Sequence, residues 1–251
     1  MNPVLIVGRT MFIRMLRDLP SLIMLLLVPL VLIAILGSVF SWVPADIPYM
    51  RGVASPMAFF AAGFLVMFQL FGGGYSLTYV KGALFSPMRW RLYGLPCSPG
   101  AIVLGTVGAA TLVSLCQGLL VVLVTGLAFG VDWGSLPLVV LVLLAVTLLS
   151  QLFYLTMLLA LRNQGTAMTL GWFFAYGSCV AGGLIFPLPV ERPFFRFLAT
   201  YGNPYSLAQT ALREGSPQNN PAVATLCLAV LYAAAALFAL LAARLAKRKL
   251  A

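Results

Sequence analysis

Residues 19–43 read LPSLIMLLLVPLVLIAILGSVFSWV and contain no charged side chain. A transmembrane helix needs about 20 mostly apolar residues to cross the roughly 30 Å hydrocarbon core of a bilayer. The rest of the chain agrees, because 62% of its 251 residues are hydrophobic and 8% are charged, whereas soluble domains have about 25% charged residues. The sequence therefore predicts an all-α integral membrane protein.

The same length criterion, applied along the chain, predicts six transmembrane helices in a single domain covering residues 1–251. Their predicted ranges are 19–43, 53–80, 101–130, 136–161, 166–186 and 221–243. Three further segments are too polar or too short to span: residues 1–18, 84–95 and 187–220.

The distribution of charge predicts the orientation of these helices. The chain has 15 basic and five acidic residues. If both termini are cytoplasmic, 11 of the basic residues lie inside with a single acid, Asp18, while four basic and four acidic residues lie outside. This asymmetry follows the positive-inside rule, and we expect a multi-pass protein of the plasma (inner) membrane with both termini cytoplasmic.

Two of the non-spanning segments have amphipathic patterns. Residues 4–18 place Val4, Gly8 and Met15, with other apolar residues, on one helical face and basic residues on the other, which predicts a helix in the membrane interface. Residues 187–220 mix aromatic and charged side chains. They predict a re-entrant pair of short helices folded back on the outer membrane surface, before the last span.

The third segment includes SPMRWRLYG, residues 86–94. Ser86 and Pro87 suit the start of a helix and Gly94 suits its end, so we predict a short cytoplasmic helix. One interpretation is a loop that marks topology with arginine and anchors with aromatic residues. The other is a docking element for a second protein, because Arg, Trp and Tyr are enriched in interface hot spots.

Several classes of function lack their motifs in this sequence. No phosphate-binding loop is present, so we expect no ATP site and no enzyme activity in this chain. The absence of histidine and of paired cysteines gives no reason to expect a metal or another cofactor. No ionisable residue lies centrally in a predicted span, which disfavours an ion-coupled carrier.

Polar and small residues inside the spans suggest how the helices pack. Gln69, Gln117 and Gln151 favour hydrogen bonds between helices, with a position beside a translocation path as the alternative. Small residues at helical spacing in the third and fifth spans predict close helix contacts. Residues 72–74 are three adjacent glycines, which predict a bend or a close contact.

Four stretches, taken in order, resemble the ABC type-2 exporter permeases. They are RDLPSLIMLLLVPLVLIAILG (17–37), LPCSPGAIVLGT (95–106), GGLIFPLP (182–189) and YGNPYSLAQTALREG (201–215). The last two are similar to the external signature of that family. The residues that carry it here are Pro187, Pro189, Asn203, Pro204 and Arg213.

The resemblance implies a permease that dimerises with a second copy or a paralogue to form the path of an ATP-driven exporter. It also implies that the short cytoplasmic helix docks on a separate ATPase subunit, which would bind ATP and Mg²⁺. The docking residues implied in this chain are Phe85, Met88, Arg89, Trp90, Arg91, Leu92 and Tyr93. The family often has a glutamate before a glycine in this turn, whereas this chain has Lys81 before Gly82.

The spans free of charge suit a hydrophobic or amphipathic cargo, and no nucleic acid partner is expected. A membrane scaffold or assembly factor that transports nothing is the alternative, since it would recruit a cytoplasmic partner through the same basic helix.

Overall fold

The computed structural model describes residues 2–42, 55–85, 98–161, 163–186, 188–214 and 220–250. Within these ranges the chain forms ten α-helices and no strand, which confirms the all-α prediction. The helices are α1 (Pro3–Leu16), α2 (Leu19–Ser41), α3 (Pro56–Phe71), α4 (Gly73–Leu84), α5 (Pro99–Phe129), α6 (Leu136–Leu161), α7 (Gln164–Ala181), α8 (Pro193–Thr200), α9 (Pro204–Glu214) and α10 (Pro221–Leu250).

Some predictions fall outside these residues. The docking residues from Met88 to Tyr93 and the signature residue Pro187 are not among those described, so what was expected of them stays a prediction. Phe85 is described, and it caps the C-terminal end of α4 with its backbone N–H donating to the carbonyl of Lys81 at 2.9 Å.

Among the described residues, five helical stretches are long and apolar enough to cross a membrane. They are Leu19–Ser41, Pro56–Leu84, Pro99–Phe129, Leu136–Leu161 and Pro221–Arg248. The stretch Pro56–Leu84 joins α3 and α4 across Gly72. These five match the first, second, third, fourth and sixth predicted spans, whereas the six-span count is not confirmed.

The predicted fifth span corresponds to α7, which has 18 residues. The prediction that this helix continues to residue 186 is wrong, because α7 ends at Ala181. Gly182 and Gly183 follow, and Gly183 has φ of 82°, a left-handed conformation that glycine adopts without steric cost and that ends a helix.

Although α7 has only 18 residues, it runs antiparallel beside α3 and α4. Near its start, Gln164 Nε2 donates to Thr78 Oγ1 of α4 at 3.5 Å. At its end, Gly182 lies against the ring of Tyr205, whose hydroxyl lies against Gly63 of α3. The helix therefore extends from the middle of α4 to the middle of α3.

The interior of the bundle is formed by α3, α4 and α6. Within the most apolar 18 residues of each stretch, the buried share is 67% in Pro56–Leu84 and 61% in Leu136–Leu161, but 17% in Leu19–Ser41. The helix α2 is therefore peripheral, and most of its apolar surface is left for lipid or for another chain.

The amphipathic helix α1 packs on α5 through small residues. A Cβ atom at Gly105 would lie 2.8 Å from the carbonyl oxygen of Val4 and 2.9 Å from the backbone nitrogen of Gly8. Met15 is fully buried beside Ala109 in the same contact. The small residues predicted to pack closely in the third span thus form the surface that receives α1.

The segment before the last span contains the two short helices α8 and α9, which differ in burial. The described residues of α8 include none that is buried. In α9, Tyr205, Ala208 and Ala211 are buried, and this helix contacts α3, α6, α7 and α10. The second helix of the pair therefore lies among the other helices, and the expectation that both rest on a surface is wrong for α9.

Candidate functional site

The interruption between α3 and α4 is filled by a side chain from α6. Ser150 Oγ accepts a hydrogen bond from the backbone N–H of Gly73 at 3.0 Å and donates to the carbonyl of Leu70. The first N–H groups and last carbonyls of a helix have no partner within the helix. Ser150 supplies both partners in a region where lipid could supply neither.

Gly73 is the glycine that permits this approach. A Cβ atom there would lie 2.5 Å from Ser150 Oγ, 2.6 Å from the Ser150 carbonyl oxygen and 2.5 Å from the ring of Tyr154. The three adjacent glycines therefore mark a close contact, which is one of the two outcomes that the sequence predicts for them.

Two of the glutamines surround this interruption and are buried. Gln69 Nε2 donates to the carbonyl of Ser114 at 2.9 Å, and Gln69 Oε1 accepts from Thr147 Oγ1 at 2.8 Å. Gln151 Nε2 donates to the carbonyl of Gly72 at 3.3 Å. These contacts join α3 to α5 and α6.

The third glutamine acts at the proline inside α2. Pro29 has no N–H, so the carbonyl four residues earlier, at Leu25, loses its partner within the helix. Gln117 Nε2 of α5 donates to that carbonyl. The three glutamines thus make hydrogen bonds between helices, as the sequence favours, while their position beside a translocation path stays a prediction.

A polar cluster joins the α1–α2 corner to α4. Asp18 Oδ2 lies 2.9 Å from Ser21 Oγ, 3.3 Å from the Tyr75 hydroxyl and 3.2 Å from the Tyr79 hydroxyl. The guanidinium of Arg14 lies over the Tyr79 ring, 5.4 Å from its centroid. The sequence pattern does not predict this cluster, and the signal that could have indicated it is Asp18, the single acid of the predicted inner segments.

Beside this cluster is an open groove of about 700 Å³ between the α1–α2 corner, α4 and α7. Arg14 and Asp18 are the charged residues of its lining. The other lining side chains are mostly apolar and include Met24, Met168 and Trp172. A groove with this lining suits a ligand that has both a polar and an apolar part.

The Asn-Pro pair of the external signature starts α9. Asn203 Oδ1 accepts from the backbone N–H of Ser206 at 2.9 Å, and its Nδ2 donates to the carbonyl of Leu198 in α8 at 2.9 Å. Pro204 is the first residue of α9, where a missing N–H costs nothing. The pair fixes the angle between the two short helices.

The other two described signature residues lie at the edges of this pair. The carbonyl of Pro189 accepts from the backbone N–H of Arg192 at 3.1 Å, just before α8. Arg213 pairs with the neighbouring Glu214 at 3.2 Å, and its side chain is half exposed. Within the described ranges, no group of three or more metal-ligating side chains is present.

A family model described as ABC-2 type transporter matches residues 3–215. The chain belongs to the ABC-2 type transporter family. The matched range includes α1 to α9 and the segment of residues 86–97. No curated protein and no solved structure gave a significant match.

Membership confirms the resemblance that the sequence showed. The chain is an integral membrane protein and a permease subunit of an ABC transporter. The family is a transmembrane permease domain and not itself the ATPase. The buried contacts of Ser150 and Gln117 therefore stabilise the helix packing of an ABC-2 permease, and the Asp18 cluster lies beside its groove.

Proposed function

We propose that this chain is the permease of an ATP-driven exporter, that two copies form the translocation path, and that a separate ATPase subunit docks on residues 85–93. We further propose six membrane crossings, with α7 as the fifth, and both termini in the cytoplasm. The antiparallel course of α7 along α3 and α4 supports counting α7 as a crossing in addition to the five long helical stretches. The helix extends from Thr78 to the neighbourhood of Gly63.

The charges at the helix ends support this orientation. Among the described residues, the charged side chains at one end of the bundle are basic apart from Asp18: Arg9, Arg14, Arg17, Lys81, Arg244, Lys247 and Arg248. The opposite end carries both signs: Asp132, Glu191, Arg192, Arg196, Arg213 and Glu214. The positive-inside rule assigns the first end to the cytoplasm.

The observation that carries the coupling proposal is the Asp18 cluster. Helix α4 ends at Leu84, directly before the docking segment, and its Tyr75 and Tyr79 lie against Asp18 at the α1–α2 corner. A push on the docking segment would therefore reach α1, α2 and the floor of the groove together. Hydrogen bonds to a charged carboxylate are stronger than neutral ones, which suits such a link.

The groove supports the proposals for the path and the cargo. Its mostly apolar lining, together with the charged side chains of Arg14 and Asp18, suits a hydrophobic or amphipathic substrate. The groove is open on the side between α2 and α7, where Met24 is 66% exposed and Trp172 is 56% exposed. A second copy that faces this opening would enclose the path.

The docking proposal is tested by combining Arg89→Glu with Trp90→Ala in a reconstituted complex with the ATPase. We expect lower transport-coupled ATP hydrolysis with unchanged membrane insertion, because the variant removes a basic and an aromatic anchor. The matched control combines Arg192→Glu with Phe194→Ala at the opposite end. Unchanged coupled hydrolysis in the first variant, or an equal loss in the control, contradicts docking through this segment.

A further inference from the structure

The side of α1 that faces away from α5 is apolar as well as basic. Met15 is fully buried on the packed side, whereas Leu5 is 69% exposed, Ile6 45% and Ile13 40%. Leu5 therefore lies on the side of α1 that α5 leaves open. Because α5 already covers the packed side, these apolar side chains need a partner other than the described protein.

Three arginines lie among these side chains. Arg9, Arg14 and Arg17 line a shallow open groove of about 530 Å³ together with Ile6 and Ile13. None of the three forms an ion pair with any residue that the structure describes. Asp18 is the one carboxylate near these arginines among the described residues, and its single negative charge cannot balance three guanidinium groups.

The position of α1 limits what can cover the face. The helix ends at Leu16, and α2 begins at Leu19 and enters the membrane-crossing bundle. With α2 crossing the bilayer, as its length and hydropathy indicate, the outer face of α1 would lie near the lipid headgroups, and Leu19 and Ile23 at the start of α2 are also exposed. An acidic protein segment in water would neutralise the arginines but leave the isoleucines uncovered at this depth.

We propose that the outer face of α1, formed by Leu5, Ile6, Arg9, Ile13 and Arg17, is a binding site for an anionic phospholipid. The lipid phosphate would accept hydrogen bonds from the guanidinium groups, whose planar geometry matches phosphate oxygens. The acyl chains would cover the leucine and the isoleucines. The site shares no residue with the ATPase docking segment, and it adjoins the groove beside α4 at Arg14, which lines both grooves.

The test compares lipid retention by three forms of the full chain. Each is reconstituted in nanodiscs with equal amounts of phosphatidylcholine and phosphatidylglycerol and extracted into mild detergent. The retained lipids are then counted by native mass spectrometry. The forms are the unmodified protein, Arg9→Gln with Arg17→Gln, and a control, Arg192→Gln with Arg196→Gln, which removes the same charge at the opposite end.

We expect the unmodified protein and the control to retain phosphatidylglycerol in preference to phosphatidylcholine. In Arg9→Gln with Arg17→Gln the preference should fall by about 25-fold, since one arginine near an anionic surface contributes about a fivefold change. An equal preference in all three forms overturns the proposal. An equal loss of preference in the control also overturns it. In a competition with an acidic peptide, loss of the bound phosphatidylglycerol to a peptide that phosphatidylglycerol cannot displace would overturn it as well.

Discussion

Pro29 shows how a single residue in a membrane helix creates a requirement elsewhere in the chain. The proline leaves the carbonyl of Leu25 without a partner in α2, and Gln117 of α5 donates to it. An unsatisfied carbonyl in hydrocarbon costs several kcal/mol because no water is available. The buried glutamine is therefore explained by packing and needs no direct role in transport.

A double-mutant cycle tests this pairing. Gln117→Leu should lower the free energy of unfolding by about 1–3 kcal/mol, since it leaves the Leu25 carbonyl unsatisfied. In a Pro29→Ala background the same change should cost less than about 1 kcal/mol, because the N–H of the new alanine can donate to that carbonyl. The measurement is unfolding by titration with sodium dodecyl sulfate in mixed micelles.

An equal loss of unfolding free energy on Gln117→Leu in the two backgrounds would contradict the pairing.

The sequence alone predicts that Gln117 makes a hydrogen bond between helices, since a glutamine in an apolar span must find a partner. It does not predict which carbonyl accepts, because Gln117 and Leu25 lie on different helices and only tertiary packing brings them together.

At the scale of the helices, the interruption at Gly72 is held by side chains of α6. Ser150 provides a donor and an acceptor for the two facing helix ends, and Gln151 adds a hydrogen bond to Gly72 itself. The C-terminal piece, α4, carries Tyr75 and Tyr79, which hold Asp18. The second span therefore consists of two helices, α3 and α4, that meet at a contact with α6.

A glycine pair within α4 tests this contact. Gly73→Ala should lower the free energy of unfolding by about 1–3 kcal/mol, because its Cβ would meet the backbone and side chain of Ser150. Gly82→Ala is the matched control, because no atom lies within 4 Å of its Cβ position, and it should be neutral or stabilising through helix propensity. Thermal unfolding in detergent compares the two.

Similar unfolding midpoints for Gly73→Ala and Gly82→Ala would contradict the close approach of Ser150 to Gly73.

The sequence predicts a close contact or a bend from the three glycines, and the structure shows the contact. It misplaces the end of α7, because an apolar run extends to residue 186 while the glycine pair at 182–183 turns the chain. A hydropathy profile contains no information on the backbone conformation of these glycines.

For the molecule as a whole, composition and motifs predict different things. Composition and hydropathy predict an all-α membrane protein, four stretches taken in order predict the ABC-2 family, and both predictions are confirmed. The groove beside α4 and the Asp18 cluster could not be predicted, because they depend on contacts between the α1–α2 corner, α4 and α7. Such contacts leave no periodic pattern in any single segment.

ATP-driven transport by the assembled complex is the measurement that tests the central claim most directly. The tagged chain is purified with its ATPase partner and reconstituted into vesicles whose cytoplasmic face points outward. Uptake of an amphipathic fluorescent probe is followed with ATP and Mg²⁺ outside. We predict accumulation in the lumen that requires both ATP and the partner, and that stops when the partner cannot hydrolyse ATP. Uptake that is equal with and without ATP hydrolysis would contradict the account.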